Sequence, residues 1–487
     1  MLRSIIVVNR PAQWPFSIPD VEVIAARDYL NDRSWAEHKR LRVFNLCRSY
    51  RYQSTGYYVS LLAEARGHRP LPRIGTLQDL RHQSLLKVVS AELDSLIQQL
   101  LRPLQGNEFT LSIYFARNLA RRYERLSREL YNLFPAPLLR AHFVRDEDHW
   151  TLRRLTPISA NEIPDSHHAF VVEAGTRHFR RGPSRATQRK PSRFHLAILC
   201  GEDDRTPPSD AAAIEHFVAA ARRHEISTEI IDREDYGRIG EFDGLFIRET
   251  TAVTNHTYRF ARRAEAERLA VIDDPDSIVR CTNKVYLAEL MDRHDIPAPR
   301  TEIIHKGNTR AVLECLGLPC VLKAPDSSFS LGVIKVETAE EYHREVDRLL
   351  EESDLLIGQE YLRTDFDWRI GVLDREAIYA CKYFMARGHW QIYNHGAAAD
   401  GEFSGGWETV AVEAAPARVV RTAVRAANLI GDGLYGVDLK YRAGRPAVIE
   451  VNDNPSIESE VEDGVLGPAL YDRIMASFLR RMEAKRR

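Results

Sequence analysis

Short apolar runs and helically spaced apolar residues succeed one another along this chain. Ser4–Val8 (SIIVV) has the length and branching of a β-strand. In Ser84–Leu101 (SLLKVVSAELDSLIQQLL) the apolar residues recur at three- and four-residue steps, which predicts a helix; Asn118–Phe134 (NLARRYERLSRELYNLF) predicts another. The short run His168–Ala174 (HAFVVEA) predicts a strand. These elements make a mixed α/β domain over residues 1–180.

The stretch Arg177–Phe194 is basic, contains Gly182, Pro183 and Pro191, and lacks apolar periodicity, so residues 181–193 read as a linker. A fresh alternation follows over 194–275. FHLAILC, STEIID, FDGLFIRE and AVID predict strands, and SDAAAIEHFVAAARRHE and YRFARRAEAERLA predict helices. Ser209 or Asp210 can cap the first of these helices. Strand and helix in turn imply a small, mostly parallel sheet. From 276 to 487 the pattern changes. Helix NKVYLAELMDRHD precedes PCVLKAP, a polar loop and GVIKVE. Helix AEEYHREVDRLLEE, the strands LLIGQEYL, DWRIGVL and EAIYACKYFM, and helix ARVVRTAVRAANLIG follow. LYGVDLKYRAGRPAVIEVNDNP closes the set as a hairpin through RAGRP. The fold class is α/β (α+β).

Composition narrows the picture. A chain of 487 residues with 44% hydrophobic and 28% charged residues can bury a large core. The net charge of −1 gives no reason to expect nucleic acid or an anionic membrane as a partner. Six scattered cysteines show neither CxxC nor zinc spacing, which fits reduced thiols and a cytoplasmic location. No stretch approaches the roughly 20 apolar residues of a membrane span.

The chemistry collects in the final hairpin. Glu450 and Asn452 are two apart on one strand and project from the same face, and the turn can bring Asp438 beside them. Two carboxylates and an amide oxygen suit Mg²⁺ or Mn²⁺, although the pattern also fits an edge strand whose polar face meets water. Lys323 ends one strand and Lys284 opens a helix. Either can supply charge to phosphates, or lie at the surface on a buried stem. Between them APDSSFSLGVIKV, with Ser327, Ser328 and Gly332, can fold its N–H groups over a polyphosphate or be a plain turn. In LLIGQEYLRTDFDWRIGV, backbone at the strand's end can meet an adenine edge, and Glu360 and Asp367 can accept from ribose hydroxyls.

Taken in order, Lys284, Lys323 with its loop, QEYL, DWR, GVDLK and IEVNDNP resemble the ATP-grasp superfamily, and within it the RimK-like carboxylate–amine ligases, over about Phe194 to Met482. The segment NKVYLAELMDRHDIPAPRT carries that family's Asn-Lys helix and Ile-Pro-x-Pro-x-Thr. The resemblance implies an ATP-grasp fold at 276–487 behind a preATP-grasp domain at 194–275, with 1–180 as a RimK-like N-terminal extension. It implies that Lys284 and Lys323 contact ATP phosphates, that Gln359, Glu360 and Tyr361 surround adenine, and that Asp367 binds ribose. Asp438, Glu450 and Asn452 would hold two Mg²⁺ (or Mn²⁺), with Glu450 bridging. Lys382 and Asn394 match positions near the terminal phosphate and the acceptor. The loop departs from the family's glycine-rich pattern, keeping only Gly332.

Such a site phosphorylates a carboxylate and lets an amine displace phosphate, with water excluded. No side-chain nucleophile is required. His389 and His395 are either proton carriers or ordinary loop residues. The expected partners are a carboxylate and an amine, peptide or protein acceptor, with homo-oligomers possible. The N-terminal stretch Phe44–Pro72, rich in Arg and Tyr, is either an acidic-ligand patch or a structural surface. A dipeptide-type ligase of free small molecules and a nucleotide-binding regulatory module without turnover are the alternatives.

Overall fold

The computed structural model describes residues 3–485 except 20, 39–40, 82, 181–191, 202–203, 205, 327–331, 387–389 and 393–404. The chain divides into two compact units, Met1–Ser192 with Glu234–Phe242, and Arg193–Arg233 with Asp243–Arg487. Most of the predicted linker lies outside the described residues.

The first unit holds two sheets. β1 (Arg3–Val8), β2 (Glu22–Ala25), β3 (Leu41–Asn45) and β4 (Arg69–Leu71) form a parallel sheet in the order β2-β1-β3-β4. β5 (Glu108–Tyr114), β6 (Leu138–Asp146) and β7 (His149–Pro157) form an antiparallel one. Two sequence expectations change here. His168–Ala174 lies in a helix, His168–Arg180, not a strand. Val171, Ala174 and His178 are buried, steps of three and four that put one helical stripe in the core. The helix expected over 84–101 is two, Gln83–Glu92 and Asp94–Leu101, interrupted at Leu93. The break lets Leu86 and Val89 pack into the same core as Leu96, Ile97 and Leu101.

In the second unit, β8 (Phe194–Leu199), β9 (Ile226–Ile231), β10 (Gly244–Ile247) and β11 (Ala270–Ile272) make a parallel sheet, β11-β10-β8-β9. Asp210 caps the helix Ala211–Arg223 by accepting from Ala213 N at 2.9 Å. Ser209, the other candidate, is buried and donates to the Ile457 carbonyl. β12 (Thr301–Ile304), β13 (Cys320–Lys323), β14 (Val333–Val336) and β15 (Leu356–Glu360) form an antiparallel sheet, β12-β15-β13-β14. β16 (Phe366–Leu373), β17 (Glu376–Phe384), β18 (Trp407–Val410), β19 (Leu434–Arg442) and β20 (Arg445–Asp453) form another, β18-β17-β16-β19-β20.

One face of the last sheet packs on a helix, and on the other Tyr379, Cys381 and Tyr383 join the core that holds Ile198 and Phe478. Trp368, Ile370, Val437, Leu439 and Val451 bury against Val419, Ala423 and Ala426 of the helix Ala417–Ile430. Strand alternation sends Asp367, Arg369, Asp438 and Lys440 to the opposite face. Among the described residues no helix is long and apolar enough to cross a membrane.

Candidate functional site

The hairpin of β19 and β20 turns through Ala443 and Gly444, both at positive φ, as a two-residue connection requires. Asp438 stands opposite Glu450, and Gly436 opposite Asn452. The three oxygen-bearing side chains therefore share a face, and Asn452 Nδ2 donates to Asp438 Oδ2 at 3.1 Å. Gly436 makes room for the turn that follows. A Cβ there would come within 2.7 Å of Pro455 Cβ.

Lys284 opens the helix Lys284–Arg293, capped by Asn283, whose Nδ2 also donates to Asp326 at 3.0 Å. Lys284 is 9% exposed, and its Nζ lies 3.0 Å from Glu450 Oε1. Lys323 ends β13 and is 7% exposed. Burial pulls its ammonium down to a pKa of about 8, against the attraction of Glu450 and with the repulsion of Lys284 and Lys440. Burial would raise Glu450. Lys284 and Lys323 outweigh it and hold that carboxyl below its ordinary value.

The other predicted residues fall nearby or apart. Gln359 Nε2 donates to Thr301 Oγ1 at 2.9 Å, and Glu360 Oε1 accepts from Arg300 N at 2.9 Å. The Tyr361 ring lies 4.7 Å from Lys335 Nζ and edge-on to Trp390. Asp367 accepts from Lys440 Nζ at 2.7 Å and from Thr364 Oγ1 at 3.1 Å. Burial raises its pKa in spite of Lys440. Gly332 has φ +76°, and its carbonyl accepts from Ala324 N. Lys382 is not brought to the Asp438 face. It stands opposite Trp368 and Glu408, with Nζ 2.9 Å from Glu408 Oε2 and 5.5 Å from the centre of the Trp368 ring. Ser327, Ser328, Asn394, His389 and His395 lie outside the described residues.

Two cavities meet at Glu450. The first, about 330 Å³, lies between the helix from Lys284 and the sheet of β12–β15, with Leu287, Met291, Ile296 and Ile357 as apolar walls and Lys284, Lys323 and Gln359 as polar ones. The second, about 300 Å³, is lined by Thr250, Thr254, Arg369, Asp438, Asn452 and Asp453. The first suits a flat, largely apolar base followed by phosphates, and the second a small polar molecule.

Sequence reading assigned no role to Arg369, Lys440 or Arg248. Arg369 is two residues from Asp367, and Lys440 two from Asp438, so strand alternation already placed them on that face. Arg369 forks onto Asp438, Nε to Oδ1 at 2.7 Å and Nη2 to Oδ2 at 2.8 Å. Arg248 is fully buried. It donates to Asn454 Oδ1 at 2.8 Å and to the Pro455 carbonyl at 2.9 Å, fixing the turn that follows Asn452. No local pattern pairs residue 248 with 454.

Whether the triad fits divalent cations is a matter of its donors. Among the described residues no three His, Cys, Asp or Glu side chains gather as a metal-holding group. Here the third donor is an amide, and two carboxylates with an amide are hard oxygen ligands of the type Mg²⁺ takes when phosphates complete its shell. The donor set fits.

Residues 26–174 match the RimK-like ATPgrasp N-terminal domain, and residues 281–465 match the RimK-like ATP-grasp domain. The chain is 27% identical over 239 residues to a probable alpha-L-glutamate ligase 1 of Shewanella amazonensis, covering 48% of this chain and 75% of the relative. It is 25% identical over 225 residues to the ribosomal protein bS6–L-glutamate ligase of Salmonella paratyphi B, covering 45% and 72%. A D-alanine–D-alanine ligase structure from Bacillus anthracis overlaps 60% of this chain and 99% of its own, at 16% identity and a TM-score of 0.49. The protein is an ATP-grasp ligase, an enzyme that uses ATP. Within that class the chain belongs to the RimK-like family.

Proposed function

We propose that this ligase joins an amino acid, glutamate in the first instance, to the carboxylate of a peptide or protein acceptor. The observation that carries the reading is the convergence of Asp438, Glu450 and Asn452 on one sheet face, with Lys284 on Glu450 and a cavity on either side. The relatives' names supply glutamate and a ribosomal protein as substrate classes.

In this reading the first cavity takes ATP. Leu287, Met291 and Ile357 face the base, Gln359, Glu360 and Tyr361 border it, and Asp367 lies toward the ribose. Lys284 and Lys323 meet the phosphates. Asp438, Glu450 and Asn452 would hold two Mg²⁺ or Mn²⁺, which supply charge neutralisation to the triphosphate when bound. An oxygen of the acceptor carboxylate attacks the γ-phosphorus and ADP leaves. The amine nitrogen then attacks the acyl carbon, phosphate leaves, and the nitrogen gives up a proton. Burial of Lys323 excludes water from the charge it presents, which strengthens its attraction for phosphate. Arg369 fixes the plane of the Asp438 carboxylate by forking onto both of its oxygens.

The test is ADP release by the full chain with Mg-ATP, glutamate and carboxylate-ended peptides, with product mass measured in parallel. Release that needs both co-substrates, with a mass gain of one glutamate residue, is expected. ATP binding without turnover on any mixture would overturn the ligase chemistry. Turnover on free amino acids alone would move the acceptor to a small molecule.

A further inference from the structure

In the parallel sheet of the first unit the chain leaves β1 toward β2 on one side and continues through β3 and β4 on the other. The carboxyl ends of β1 and β3 flank that change of direction, where open α/β sheets leave a crevice for ligands. Three arginines surround it. Arg48 follows β3, its backbone N donating to Asn9 Oδ1 at 2.7 Å and its Nη2 to Gln13 Oε1 at 2.8 Å. Arg81 Nη2 donates to the Tyr50 carbonyl at 2.9 Å. Arg51 lies on the same loop and is exposed. Every partner of these groups is neutral. Among the described residues no carboxylate comes within ion-pair distance of Arg48, Arg51 or Arg81. Glu64 accepts from Ile74 N, and Glu162 is taken up by Ser159 and Arg140.

Aromatic rings stand beside this charge. Tyr52 is 63% exposed and packs edge-on to Tyr57 at 5.1 Å, and Tyr58 is also exposed. The loop that presents them is built, not loose. Asn45 Nδ2 donates to the Gly56 carbonyl at 2.6 Å, and Ser54 Oγ to the Ser49 carbonyl at 2.8 Å. Tyr50 OH donates to the Asn45 carbonyl at 2.6 Å. Gly56 admits no side chain, since a Cβ would lie 2.4 Å from Ser49 O. Ser54 already caps the following helix, so the anion-attracting groups are the guanidiniums.

We propose that this face binds a carboxylate-rich peptide segment, its acidic side chains forked by Arg48, Arg51 and Arg81 and its backbone lying over Tyr52 and Tyr58. The identity of the peptide rests on the proposed function, because each glutamate joined to an acceptor adds carboxylate and makes the product more anionic. The face would hold the acidic tail of acceptor or product.

The test needs no turnover, so it fails or succeeds apart from the ligase chemistry. Binding of labelled oligoglutamate, matched oligoglutamine and a single-stranded DNA oligonucleotide to the full chain is followed by fluorescence anisotropy without ATP. Oligoglutamate is expected to bind at least about tenfold more tightly than oligoglutamine, and more weakly as salt rises. R48A/R51A/R81A should abolish that preference while ADP release with a short acceptor peptide carrying a single carboxylate persists. R51E alone, whose exposed side chain supports no packing, should weaken binding in the same direction. Equal binding of the two peptides, an unchanged R51E, or preference for the oligonucleotide would overturn the proposal.

Discussion

Arg369 and Asp438, on neighbouring strands, meet through two parallel hydrogen bonds of 2.7 and 2.8 Å. The fork fixes the carboxylate's plane, and Asn452 then bonds the same Oδ2. Replacing Arg369 by Lys keeps the charge and loses the fork. R369K is expected to lower kcat by roughly 10–100-fold and to raise the Mg²⁺ concentration needed for half-maximal rate, the size of loss typical when a ligand's outer partner is removed. Steady-state ADP release against Mg²⁺ measures both.

Lys323 is an ammonium held in a buried position at a cost. Its folded pKa of about 8 lies below the 10.5 of an exposed lysine. Between these values the unfolded chain binds more protons than the folded one, so this residue's contribution to stability rises with pH from about 8 to 10.5. The ligand-free protein with Lys323→Met should therefore be more stable at pH 7, by on the order of 2–3 kcal/mol, and lack the wild type's gain above pH 8. ATP turnover should be lost. Denaturant midpoints at several pH values check the first part; a K323M less stable than wild type at pH 7 would refute it.

Glu462 works in the opposite pH range. It is 1% exposed and accepts from Tyr383 OH. Burial lifts its carboxyl to about 7. The folded state holds that proton where the unfolded chain has released it, so the stability it brings is full below about pH 4.5 and lost as pH rises through 7. Glu462→Gln should flatten the melting temperature between pH 5 and 8 relative to wild type. An unchanged slope would show that Glu462 does not carry this dependence.

Arg248 is buried against Asn454 and the Pro455 carbonyl in the turn after Asn452 and against the Pro208 carbonyl. Arg248→Met leaves Asn454 Oδ1 and the Pro455 carbonyl without their donor, and the Pro208 carbonyl with Ile457 N alone. A loss of about 2–5 kcal/mol of stability is expected from the two buried acceptors left unpaired, measurable by urea unfolding. Turnover in the surviving folded fraction should also fall, because Asn452 and the turn move together.

The sequence by itself determined the parts that follow a local period. Alternation in β20 put Glu450 and Asn452 on one face, and the glycine of the two-residue turn let β19 return beside it. Segment order along the chain carried the family resemblance. Tertiary structure decided what depends on distant partners. His168–Ala174 is as apolar as a strand, yet burial of Val171, Ala174 and His178 together selects a helix. Lys382 follows the same alternation rule as Asp438, but the strand register sends it to the other face. Arg248 reaches Asn454 across 206 positions. Side-chain period is fixed by backbone geometry within a few residues, whereas register, burial and long-range hydrogen bonds exist only once the sheets have packed.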